Sequence, residues 1–174
     1  MKKAASIFLR ADMEQRDVEM LIRWMENPNV TRFLNEDPRV VEELRQLLWT
    51  VPAPMLSFHF NRWGHFYLIC RGPREPIGFV KLRPLGQPGG YEIVYAIGEE
   101  SLWGHGYGES AIRAALAMVF GSWQGREVVA KIYPENHRSV RLVTACGFSR
   151  NGEGGPLHQY RITAQSYALR ELLL

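Results

Sequence analysis

The sequence predicts a mixed α/β domain built around one sheet. Three observations point there: helical and strand periodicities alternate along the chain, a glycine-rich turn joins a strand to a helix, and 174 residues with 46% hydrophobic content suffice for one core. No internal repeat or low-complexity segment interrupts the pattern, so residues 1–174 read as a single domain.

Residues 6–10 alternate as an opening strand, and Asp12 ahead of Glu14 and Gln15 suits a helix N-cap. The helix runs to about Glu26, with Val18, Leu21, Ile22 and Met25 on its buried stripe. Asn27-Pro28-Asn29 stops it, Thr31 to Leu34 form a short turn, and Pro38 leads into a helix over 40–50 with Val41, Leu44 and Leu48 on one side. Residues 51–64, with Pro52, Pro54, Phe58, Phe60 and Trp63, read as an aromatic loop too punctuated for a helix, one that lines a pocket. Strands follow at 65–70 and 77–83, then a turn through Gly86, Pro88, Gly89 and Gly90 into a central strand, Tyr91 to Ile97. The helix after Gly108 carries Ile112, Ala115, Leu116, Val119 and Phe120 on one face. A strand at 128–132, a helix at 138–145 closed by Gly147, and a strand at 157–162 complete the reading.

Lys and Arg number 21 against 18 acidic residues, a net charge of +3 with no basic run, so a nucleic-acid footprint is not expected. The balance does suit a polyanionic ligand. Cys70 and Cys146 imply no disulfide framework, which favours a reducing, cytoplasmic setting, and the five histidines never fall in a metal-binding spacing. Met1 to Leu9 imitates a leader, but Arg10 and Asp12 end the apolar run, and no segment reaches the length of a membrane span.

The sharpest motif is Trp103-Gly104-His105-Gly106-Tyr107-Gly108 between the central strand and a helix. Glycines there let backbone N–H groups approach a ligand, and the helix start favours an anion. A P-loop needs Lys-Ser/Thr after its last glycine, whereas Gly108 is followed by Glu109-Ser110; a dinucleotide fold needs G-x-G-x-x-G, and this is G-x-G-x-G.

Further motifs lie at ordered spacing: Leu9-Arg10-Ala11-Asp12, Arg23-Trp24-Met25-Glu26-Asn27-Pro28-Asn29-Val30, the strand Tyr91-Glu92-Ile93-Val94-Tyr95-Ala96-Ile97, Pro134-Glu135-Asn136 with Ser139, and Gly147-Phe148. Together with the glycine loop they resemble the GNAT superfamily of N-acetyltransferases, in particular the Rim-type branch that acetylates ribosomal-protein N-termini. The resemblance covers most of residues 7–150. It implies a central, mostly antiparallel twisted sheet of six to seven strands flanked by about four helices and splayed where acetyl-CoA binds. It further implies that the pyrophosphate meets the backbone of Gly104, His105, Gly106, Tyr107, Gly108 and Glu109, with His105 offering backbone more than ring. The pantetheine arm is expected along Tyr95, Ala96, Ile97 and Gly98, with Asn136 and Ser139 as further contacts. Asn136 equally suits a helix cap.

Three departures stand out. Trp103 occupies the place of the superfamily's Gln or Arg; five residues, Gly98 to Leu102, separate strand from loop, one more than the pattern, which predicts a bulge or longer turn; and the tyrosine expected seven residues after Asn136 is Val143. Held reactants alone can contribute roughly 7–11 kcal/mol in favourable cases. Transfer also needs a proton acceptor, for which Glu92 is the candidate, and a donor for the leaving thiolate, for which Tyr133, Tyr160 and Cys146 compete with solvent. Packing accounts equally for the tyrosines and a salt bridge for Glu92. The acceptor is a peptide N-terminal amine by the branch resemblance, or a small amine such as an aminoglycoside, polyamine or amino acid, for which Glu36-Asp37 offers acidic company. The aromatic loop suits an apolar acceptor or a homodimer contact. A non-catalytic acyl-CoA sensor is the alternative that Val143 suggests, and nucleic-acid binding has only the basic balance behind it.

Overall fold

The computed structural model describes residues 5–173. The first four residues of the leader-like stretch Met1–Leu9 lie outside them. Seven strands, β1 (Phe8–Arg10), β2 (His65–Gly72), β3 (Glu75–Pro84), β4 (Gly90–Ile97), β5 (Glu127–Ile132), β6 (Ser149–Gly154) and β7 (Leu157–Thr163), form one sheet in the order β1-β2-β3-β4-β5-β7-β6. Only β4 and β5 run parallel; every other neighbouring pair is antiparallel.

Seven helices flank the sheet: α1 (Gln15–Glu26), α2 (Pro28–Thr31), α3 (Val40–Thr50), α4 (Leu56–Asn61), α5 (Tyr107–Ala117), α6 (His137–Ala145) and α7 (Ala164–Glu171). Strand alternation sends Ile69, Val80, Leu82 and Ile93 to one face, where Ile112 and Leu116 of α5 and Val143 of α6 cover them. Phe66, Leu68, Phe79 and Ala96 lie in the other core, under Val18, Leu21 and Ile22 of α1 and Leu44 and Leu47 of α3.

Several expectations need correcting. Glu14, not Asp12, is the N-cap of α1; its N–H is taken by the buried Asp17 carboxylate at 2.8 Å, which also pairs with Arg10 at 2.9 Å. Asn27 ends α1 and caps α2, accepting from the Asn29 N–H, so the second turn comes three residues early. Within residues 51–64 the stretch 53–61 is helical rather than looped: a 3-10 turn (Ala53–Met55) leads into α4, because the prolines sit at the turn's start, where no N–H is required. Leu56 is fully buried beneath it, whereas Phe58 and Trp63 face outward. The strand β6 and helix α7 were not anticipated. β6 is a polar edge strand, and α7 opens on a Thr163–Ser166 capping box and lays Tyr167 on Phe120 at 4.9 Å between ring centres.

Candidate functional site

β4 and β5 are hydrogen-bonded only at Gly90–Glu127, Tyr91–Val128 and Glu92–Val129. Beyond that point each strand follows its other neighbour, β4 staying with β3 as far as Ile97 opposite Gly78 and β5 with β7 as far as Ile132 opposite His158. The ladder therefore splits, and the facing edges of 93–97 and 130–132 keep backbone groups without a cross-strand partner. A cleft of about 770 Å³ opens there, walled by these edges, the glycine loop, the first turns of α6, and α2 with the residues after it.

The head of α5 closes one end of the cleft. Gly104 and Gly106 hold φ of +79° and +87°, which bends the chain sharply into the helix. Among the described residues no hydrogen-bond acceptor takes the N–H groups of 104–109; the first bond back is Ser110 N–H to Gly106 O at 3.0 Å. α5 thus begins at Tyr107, with Gly108 already inside it. These free donors and the helix field favour an anion, and Arg138 and Arg141, one turn apart on α6, line the same cleft. The Trp103 indole N–H donates to Ile97 O at 2.8 Å, and Arg138 lies 4.0 Å above its ring, so Trp103 ties loop, strand and α6 together. His105 turns its ring back to Trp103 O at 3.0 Å.

The extra residue before Trp103 is absorbed in a 3-10 turn, Glu100–Leu102. Carboxylates tie this turn to α1 and α2: Glu99, its N-cap, accepts from the Trp24 indole at 3.0 Å, and Glu100 from Asn27 and Asn29 at 2.7 and 2.9 Å.

Asn136 caps α6, accepting from Ser139 N–H at 3.2 Å while its amide donates to Ser139 Oγ at 3.0 Å, and both side chains face the cleft. Tyr95, Ala96 and Ile97 line it, whereas Gly98 is buried with its N–H on Ile77 O at 2.8 Å. Burial pushes the Tyr95 phenol up to about 12. Glu92 faces the α1–α3 side of the sheet with its side chain 15% exposed, paired with Arg83 at 3.1 Å and Lys131 at 3.6 Å.

The three proton-donor candidates, Tyr133, Tyr160 and Cys146, lie outside the cleft wall. Tyr160 is buried on β7 opposite Ala130, and half-buried Tyr133 follows β5; neither belongs to the cleft wall. Cys146 is buried at the end of α6, where desolvation pushes its thiol up to about 11. At the far end of the cleft stand Asn29, Phe33 and Glu36. Glu36 pairs with Lys81, while Asp37 is exposed and holds Arg39. Glu36 and Arg83 also border a second cavity of about 630 Å³, walled in part by His59, Phe60 and Trp63 of the aromatic segment.

Sequence reasoning missed Arg138, Arg141, Phe33 and the Tyr95 side chain. The i, i+3 spacing of the arginines just after Asn136 was the available signal for the first two.

A mixed sheet of this order, split between its parallel pair above a glycine-rich helix start, is the GNAT fold. Residues 7–149 match the sequence model of the acetyltransferase (GNAT) domain, and the chain belongs to that family. An uncharacterized N-acetyltransferase, p20 of Bacillus licheniformis, is 28% identical over 142 residues, covering 80% of this chain and 78% of its own. YoaA of Bacillus subtilis, also an uncharacterized N-acetyltransferase, is 25% identical over 84% of this chain and 81% of its own. Among solved structures, aminoglycoside acetyltransferase AAC(6')-Ib in complex with coenzyme A superposes with a TM-score of 0.78 at 21% identity, covering 95% and 99% of the two chains. Spermidine N-acetyltransferase from Vibrio cholerae, in complex with CoA and spermine, gives 0.74 at 20% identity over 93% and 98%.

Proposed function

We propose that this protein is an acetyl-CoA-dependent N-acetyltransferase that moves the acetyl group directly to a primary amine while both substrates are bound. The observation that carries this reading is the run of unpaired N–H groups at 104–109, opening straight into the split between β4 and β5. The cleft fits the cofactor's chemistry. Its pyrophosphate suits the free N–H groups and Arg138 and Arg141; its amide-bearing arm suits the unpaired strand edges, with Asn136 and Ser139 alongside. Bound acetyl-CoA supplies an activated acyl group. Glu92 accepts the ammonium proton of the incoming amine, directly or through water, and Arg83 and Lys131 fix its carboxylate on the acceptor side.

The acceptor we favour is a compact primary amine. The far end of the cleft is bounded by Asn29, Phe33, Glu36 and Leu157, an amide, a carboxylate and apolar side chains that suit an amine. Solved structures of the same fold include enzymes for aminoglycosides and for spermidine. The Trp-Gly-His-Gly-Tyr form of the loop supports a second reading, a peptide N-terminal amine as in the Rim-type branch. Two buried free thiols suit a cytoplasmic setting.

Calorimetric titration with acetyl-CoA, followed by a thiol-release screen over aminoglycosides, polyamines, amino acids and peptides, tests the proposal. One-site binding with release for one class supports it. Binding without release for any amine leaves the acyl-CoA sensor, and no binding removes both.

A further inference from the structure

One polar group of the cleft wall is not explained by folding. The Tyr95 hydroxyl is buried and has no hydrogen-bond partner. A hydroxyl left so costs stability, and phenylalanine would fill the space without that cost. Tyr95 stands on β4 three residues beyond Glu92, the last residue paired across to β5, so its place is beside the gap. Its ring belongs to the core under α5 and α6. Ser139 is the neighbouring hydroxyl on that side; it accepts from the Asn136 amide and eases the phenol's ionisation, but its approach to the phenol falls outside hydrogen-bond geometry. Val143, one turn further along α6, is apolar and fully buried. The Cys146 sulfur leans instead on Glu109 O, at 4.0 Å.

We propose that Tyr95 is the proton donor of the transfer, its unpartnered hydroxyl meeting the thioester sulfur from the β4 side of the gap. This rests on the acetyltransferase reading above. As the amine nitrogen bonds to the acyl carbon, the carbon–sulfur bond breaks with its electron pair on sulfur. The Tyr95 proton passes to that sulfur, giving the free thiol. The proton lost by the nitrogen as it becomes an amide returns to the phenolate through water, so nothing further is consumed. Burial keeps the phenol protonated throughout the neutral range, and the same dryness raises a thiol beside it, as it raises Cys146. Donor and acceptor rise together, so the gap in proton affinity between phenol and thiol stays close to its value in water.

Tyr95→Phe tests this, since it removes one oxygen and keeps the ring. Thermal melting should show no loss of stability, because the deleted hydroxyl had no partner. Acetyl-CoA affinity should hold, while CoA should lose any preference over desulfo-CoA, the analogue without the sulfur. Turnover should fall on the order of 100-fold, within the usual worth of a positioned acid. The residual rate should rise with the concentration of a small buffer acid, to which the wild type is indifferent. Wild-type turnover in the variant overturns the assignment. So does a loss of turnover that tracks lost acetyl-CoA affinity and ignores buffer, which makes Tyr95 a packing residue. If the wild type binds acetyl-CoA and acetylates no amine, the transferase reading falls, and the donor role with it. An active wild type with an equally active variant removes the donor role alone.

Discussion

The Trp24 indole lies against Gly98 and donates its N–H to the Glu99 carboxylate at 3.0 Å, so α1 is joined to the end of the central strand. A Cβ on Gly98 would stand 2.1 Å from the indole ring. Gly98→Ala is therefore expected to destabilise the fold by about 1–3 kcal/mol through overpacking. Urea unfolding measures it, and Trp24→Leu in the same chain should recover part of the loss. Equal midpoints for Gly98→Ala and wild type would refute the contact.

Gly106 is the N-cap of α5 at φ +87°, where a β-branched side chain is strained by about 1–3 kcal/mol. Gly106→Val should lower acetyl-CoA affinity roughly tenfold or more, equivalent to about 1.4 kcal/mol or more of binding, because the turn that presents the free N–H groups relaxes. Gly106→Asn, which tolerates the left-handed region better, should lose less. Calorimetry distinguishes the two, and identical affinities would remove the cradle from cofactor binding.

What was legible in the chain follows from which interactions leave a periodic trace. The stripe of α1 shows because one of its faces meets a core, and β4 shows as a largely apolar run because its two faces meet two cores. The glycine loop shows because positive φ at Gly104 and Gly106 demands that residue. β6 left no trace: Ser-Arg-Asn-Gly-Glu-Gly lies at the sheet edge, largely exposed, with no apolar alternation to find. Pro52 and Pro54 misled because a proline before or at a first turn looks in sequence like one that breaks a helix. Tyr95 was legible as a strand residue near the cofactor, but the missing partner of its hydroxyl is a property of three dimensions. Tyr160 drew attention as a phenol of the right chemistry, and its strand register turned it into the core instead.

Glu92 tests the proton-acceptor side of the proposed reaction. Glu92→Gln keeps the shape and one accepting oxygen, enough for Arg83 or Lys131 but not both, and cannot take a proton. Turnover is expected to fall on the order of 100-fold with acetyl-CoA affinity largely retained. Raising the pH, which supplies the amine already neutral, should close part of the gap. A variant as active as wild type across the pH range would leave Glu92 a structural ion pair.

Cys146 predicts an alkaline limit to stability. Desolvation is the main cause that moves its thiol from the ordinary 9.0 up to about 11, aided by Glu109 and opposed by Arg113 and Arg170. Below pH 9 the thiol is protonated in both folded and unfolded chains and contributes no pH dependence. Between 9 and about 11 the unfolded thiol ionises while the folded one does not, so unfolding releases a proton and stability declines as pH rises. One such group contributes at most about 1.4 kcal/mol per pH unit across that window. Cys146→Ala should begin less stable, since it leaves a small cavity, but its stability should fall less steeply with pH over the same range. Denaturation at several pH values reads the two slopes; parallel lines would mean that the thiol is as wet in the folded protein as in the unfolded chain.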